Sequence, residues 1–274
     1  MNALVRAGLV ALLVATPSLL LPSVSSHTAQ LVMVLAILAS LMTFIEYYGR
    51  YPSIVEFRFA PPFNRLKFVF LALTILLLTL ILRGEAHPTE LTMSLTLLGD
   101  GLGHALDFPY SPVRLVVLML PADASPELVS AVRTAAGLAY TVSIVMLFVF
   151  ITCVRFLGWP MRNGAFNVWV NLPLFDPTGG GDVLYRLKRD AGLNIVLGSL
   201  LPFLIPAAVK AASDLIDPIS IANSQTLIWT MSAWAFLPAS MLMRGIAMSR
   251  IADMIEEKRK RAYARAESEA LQQA

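Results

Sequence analysis

Charge is what this sequence has least of. Asp, Glu, Lys and Arg make up 14% of its 274 residues, whereas a soluble domain carries about 25%. With 57% hydrophobic residues, the chain has more apolar surface than one small core can hide. That excess rules out an ordinary soluble globule, and the low polarity rules out a disordered chain. Cysteine is nearly missing as well. A lone Cys153 excludes an intramolecular disulfide framework, and its place inside an apolar run reads as a small buried hydrophobe. Only three histidines exist, His27, His87 and His104. The chain contains no H-E-x-x-H, no G-x-S-x-G and no tetrad with metal-ligand spacing, so the residues imply neither a metal nor a cofactor.

What is present in quantity is long apolar runs. The mean hydropathy is +0.70. A bilayer core about 30 Å thick takes about 20 residues of helix, and six segments qualify: 3–21, 28–47, 66–82, 134–154, 193–212 and 226–243. Within the third, the run FVFLALTILLLTLIL holds no charge. Solid apolar runs point to helices, because a barrel needs alternation and an open sheet edge cannot persist in lipid. The first segment has a rival reading as a signal peptide with Val24, Ser25 and Ser26 at the cut site. Leu19, Leu20 and Leu21 carry the apolar run too close to that site, which favours a retained span.

Basic residues sort by loop. Seventeen of the 21 lie in alternate connections and the tail, with only Arg83, Arg114, Arg133 and Lys210 opposite. Basic loops remain in the cytoplasm, so both termini are expected to be cytoplasmic and the span number even. The expectation is an all-α, six-span transmembrane helical bundle in a bacterial inner membrane. Residues 1–83 hold three spans and an aromatic, basic loop at 48–66. Residues 84–126 form a small extracytoplasmic lobe. Residues 127–243 hold three more spans and a cytoplasmic loop at 155–192, and residues 244–274 form a cytoplasmic charged helix. The net charge of +3 implies no nucleic-acid partner, because the basic residues flank apolar runs where they meet lipid headgroups.

Several local expectations follow. In the 84–126 segment a short helix over 89–98 should be broken by Gly99, Gly101 and Gly103. The run 113–120, bounded by Pro112 and Pro121, is too short to span and suits a strand, a re-entrant piece or a lid. Tyr47, Tyr48, Tyr51, Phe57, Phe59 and Phe63 alternate with basic residues and suit interfacial anchoring. Gly179, Gly180 and Gly181 precede Asp182, an acid where a phosphate-binding loop needs Lys, so they read as a hinge into an interfacial helix capped by Asp182. Beyond residue 243 strong helix formers take over, and the sixth span should continue as a helix.

Candidate chemistry is sparse. Mid-span ionisable groups mark most transport pathways, and here there are almost none. Thr43, Asn194, Ser199, Thr230, Ser232 and Ser240 are mild groups suited to bridging helices. Pro202, Pro206 and Pro238 invite kinks, and Ala135, Ala136, Gly137 and Ala139 invite close helix approach. Asp100, His104 and Asp107 are the densest cluster whose spacing could hold a metal or orient a general base. Cationic candidates for binding anionic headgroups or a protein partner are Arg58, Arg65, Lys67, Arg186, Lys188, Arg189, Lys258, Arg259, Lys260 and Arg261. The function expected is a non-catalytic accessory, assembly or scaffold subunit of a membrane complex. The alternatives are a permease or channel for a neutral or lipid-like molecule, and a membrane-embedded enzyme at Asp100, His104 and Asp107.

Overall fold

A computed structural model describes residues 2–22, 24–160, 166–175, 181–212 and 223–273. All regular structure among them is helical: α1 (Ala3–Leu20), α2 (Ser26–Tyr48), α3 (Phe63–Ala86), α4 (Glu90–Leu106), α5 (Pro112–Leu118), α6 (Pro126–Phe156), α7 (Val168–Asn171), α8 (Val183–Ala212) and α9 (Ser224–Gln273). The helix starts obey local chemistry. Ser25, Ser111 and Ser125 each accept a backbone N–H from three residues on, and Thr89 forms a capping box with Thr92. Such caps contribute about 0.5–2 kcal/mol each. Pro112 and Pro126 stand in the first turns of their helices, where a missing N–H costs nothing.

α1, α2, α3, α6, α8 and α9 are each long and apolar enough to cross a membrane. The protein is therefore a multi-pass, all-helical membrane protein. α6 and α9 form its spine, with half of their most apolar stretches buried against protein, compared with 6% for α2. Among the helices, α2 packs on α1 alone. Its Leu31, Met33, Leu35, Ile37, Leu41 and Ile45 stay exposed, as expected of a face whose solvent is hydrocarbon.

Two apolar clusters fill the interior. The first joins Leu13, Ile75, Leu78, Val113, Val116, Val132, Ala136, Ile228 and Met231 from α1, α3, α5, α6 and α9. The second joins Phe57, Phe63, Met146, Phe150, Trp159, Leu172, Leu187, Met243 and Met248, and so ties both long basic loops to α6, α8 and α9.

Four expectations need correction. The glycines at 99, 101 and 103 do not end a helix, because α4 runs through them to Leu106. Gly99 and Gly103 serve packing instead, while Gly101 faces open space. Gly103 lies so close to Gly137 of α6 that a Cβ on Gly137 would sit 2.5 Å from the Gly103 Cα, and one on Gly99 would meet Thr134 at 2.9 Å. Small residues four apart allow this backbone approach, which outweighs the ~1 kcal/mol each glycine costs a helix. Residues 112–118 form a helix rather than a strand, with Val113 and Val116 buried on one face. Phe57 and Phe63 are buried interior residues and not interfacial anchors, although Tyr48, Tyr51 and Phe59 remain exposed. The segment after Asp182 is no separate interfacial helix, because α8 runs unbroken from Val183 to Ala212, through Pro202 and Pro206. Gly179 and Gly180 of the expected hinge lie outside the described residues.

Candidate functional site

The strongest concentration of polar structure lies where the C-terminal end of α2, the 49–62 loop and Arg244 of α9 meet. Glu56 accepts a two-pronged ion pair from Arg244, Nε at 2.5 Å and Nη2 at 2.8 Å. The Glu56 side chain is only 9% exposed, so the pair fixes the loop to α9. Arg58 donates to the carbonyls of Glu46, Tyr47 and Gly49 at 2.6–2.8 Å, which occupies the orphan acceptors at the end of α2. The Glu46 carboxylate accepts the N–H groups of Ser53, Ile54 and Val55. Trp159 Nε1 donates to the Ala60 carbonyl at 3.0 Å. Phe59 N donates to Asn171 Oδ1, also at 3.0 Å. Both loops are thereby held as one body.

From this body α8 and α9 extend as an antiparallel pair. The contacts step evenly along both helices. Trp234 Nε1 donates to the Pro202 carbonyl at 3.1 Å. Gly198 lies against Pro238 and Leu242, and Gly245 against Ala191 and Ile195, each with no room for a Cβ. Lys188 then pairs with Glu256 at 2.5 Å, and Arg259 with Asp182 at 3.0 Å. Asp182 also accepts the Leu184 N–H at 3.1 Å, as expected of the α8 cap. The Lys188 and Lys260 ammonium groups hold the Glu256 carboxyl at about 2. The Leu184 N–H and, after it, Arg259 hold the Asp182 carboxyl below the usual carboxylate range. From residue 257 to 272 every α9 side chain is exposed. At 1.5 Å per residue this is about 24 Å of helix standing clear of the body.

The ten cationic candidates thus divide. Arg58 serves the end of α2. Lys67 lies over the Phe63 ring, 5.4 Å from its centroid. Lys188, Arg259 and Lys260 pair within the chain, as do Arg189 with Asp190 and Arg261 with Glu257. Lys258 is exposed, and Arg65 lines a cleft. Arg186 stacks over Phe175 at 5.3 Å, and its Nε and Nη2 are buried with no acceptor among the described residues, as is Nε of Arg250.

At the other end of the bundle the catalytic candidates separate. His104 Nδ1 lies 3.3 Å from Asp100 Oδ1, both on the open face of α4. Asp107 turns inward, 8% exposed, to Arg133 at 2.8 Å and Arg114 at 3.4 Å. Two opposing guanidinium groups make it a structural anion, and the three side chains do not converge. Among the described residues no group of three His, Cys, Asp or Glu side chains could hold a metal ion. The mid-span polar groups mostly bond their own helices rather than bridging. Thr43 donates to Ala39, Asn194 to Asp190 and Ser199 to Ile195. Ser232 is buried with its hydroxyl unpaired.

Sequence reasoning missed Glu56, Arg244, Trp159 and Asn171. Glu56 is an acid in a basic, aromatic loop, and that isolation was the available signal. Compared with known proteins, the chain matches no family model, no curated protein and no solved structure.

Proposed function

We propose that this chain is a non-catalytic accessory or scaffold subunit of a larger membrane complex. The setting is a bacterial inner membrane. The loops around Glu56 and Trp159 and the α9 extension face the cytoplasm, and the 84–126 segment faces the opposite side. The observation that carries the reading is the free end of α9. An isolated helix of that length is marginal in water, and here it is braced at its root by Asp182–Arg259 and Lys188–Glu256. A rigid root and an uncovered charged tip are what a docking arm requires. Beside the arm, the buried Nε and Nη2 of Arg186 and Nε of Arg250 have no acceptor among the described residues. The positive-inside rule supports the orientation.

The test is purification of the full chain from its native membrane in mild detergent, beside a K258E/R261E variant that leaves the bracing pairs intact. The reading expects a stoichiometric protein partner with the parent chain and loss of that partner with the variant. Recovery of the chain alone, from cross-linked membranes as well as unlinked ones, refutes it.

A further inference from the structure

Because α2 rests on α1 and makes no contact with α3, a wedge opens between α2 and α3 with α1 as its floor. At the basic end this wedge becomes a cleft of about 450 Å³ lined by Leu9, Val10, Thr43, Phe68 and Val69, with Arg6, Tyr47, Asn64 and Arg65 at one end. Its volume falls within the roughly 300–1,000 Å³ of small-molecule sites. The walls are apolar and the end is cationic. Arg6 lies with its guanidinium 4.2 Å from the Tyr47 ring centroid. Among the described residues neither Arg6 nor Arg65 has a carboxylate partner. The nearby Glu46 is turned into the 53–55 loop, and the Asn64 amide is committed to the Glu56 carbonyl. α1 and α3 both begin at this end, each without a side-chain cap. Their dipoles therefore add to the positive potential of the two arginines.

We infer that this cleft is a specific site for one anionic glycerophospholipid, its phosphate held by Arg6 and Arg65 and its acyl chains along Leu9, Val10, Phe68 and Val69. The guanidinium of Arg65 and the side chain of Val69 are on exposed positions, so the lipid enters sideways from the bilayer. A free phosphate would use the cations and leave the apolar walls wet, whereas a diacyl lipid satisfies both. The inference needs the six-span reading but not the scaffold role.

The experiment is native mass spectrometry of the full chain in detergent, titrated with phosphatidylglycerol or with phosphatidylcholine of the same acyl chains. One phosphatidylglycerol should bind with about tenfold preference, on the order expected for two arginines acting on one anionic headgroup. R6Q/R65Q should abolish that preference, while K258Q/K260Q should leave it unchanged. V69W keeps both cations, fills the mouth of the cleft, and should weaken both lipids. It also provides the decisive variant should R6Q/R65Q fail to fold, as judged by helicity and melting. Unchanged preference in R6Q/R65Q, or unchanged binding in V69W, overturns the inference. Displacement of phosphatidylglycerol by millimolar inorganic phosphate overturns it too, in favour of a simple anion site. These readings use the isolated chain, so their failure is separate from failure to recover a protein partner.

Discussion

Replacing Gly137 by alanine adds one methyl group where α6 meets α4. The new Cβ would lie 2.5 Å from Gly103 Cα, 2.7 Å from its N and 3.0 Å from the Leu102 carbonyl carbon. All three neighbours are backbone, so no rotamer change relieves the clash. Restoring ordinary carbon contacts of about 3.5–4.0 Å requires the helices to separate by about 1 Å. That shift loosens the close packing of Gly99 on Thr134 and pulls on the 2.8 Å bond between Asp107 and Arg133. Overpacking of this kind costs about 1–3 kcal/mol, or on the order of 5 °C in melting midpoint for a chain of this size. Gly101→Ala is the internal control. It makes the same change on the same helix, but nothing lies within 4 Å of the added Cβ. There the substitution should cost nothing and gain up to about 1 kcal/mol of helix propensity. Thermal unfolding of both variants in one detergent, followed by tryptophan fluorescence, decides the matter. A Gly137→Ala protein as stable as its parent, or a Gly101→Ala protein equally damaged, would refute the glycine-seam account of α4 and α6.

Three further outcomes are expected. Glu56→Gln removes one half of a largely buried ion pair and should cost about 3 kcal/mol; E56Q/R244M should melt above E56Q alone, and equal melting would place the cost elsewhere. Trp159→Phe keeps most of the ring packing but leaves the Ala60 carbonyl without its donor, a loss of about 1–3 kcal/mol readable by the same melt. The root of the arm should respond to acid. The Asp182 and Glu256 carboxyls are depressed in the folded chain, so their pairs are complete above the ordinary carboxylate range; the Asp182 pair weakens below that range, and the Glu256 pairs fail as pH falls through about 2. Spin labels replacing Tyr185 and Tyr263, with Cys153 changed to serine, should give a narrow distance distribution at pH 7 and a broad one near pH 2. Broadening already at pH 6 would contradict this origin of the bracing.

Six apolar helices were legible because lipid demands length and hydropathy, which contiguous runs along the sequence record. The α9 extension was legible for a similar reason, since helix formers such as Ala264, Ala266 and Glu267 need no tertiary partner to declare themselves. Asp182 announced itself as a cap through local chemistry. The α4 glycines misled because the same residue breaks a lone helix and seats a packed one, and the deciding Gly137 lies 34 positions after Gly103. Phe57 and Phe63 misled in the same way. An aromatic ring suits both the headgroup zone and an interior, and only Trp159 and Phe150 on distant elements settle which. The wedge at Arg6 and Arg65 arises from a missing contact between α2 and α3, and no linear pattern encodes a gap.

That α1 is the only helix α2 packs on has a consequence for tolerance to change. Most of its circumference is packed by oil rather than by side chains, and oil has no shape to match. Positions such as Leu35, Ile37 and Leu41 are therefore governed by greasiness alone. Scrambling Leu, Ile, Val and Met among them should leave the molecule unaltered, while the same scramble among Met146, Phe150 and their neighbours on α6 would wreck it.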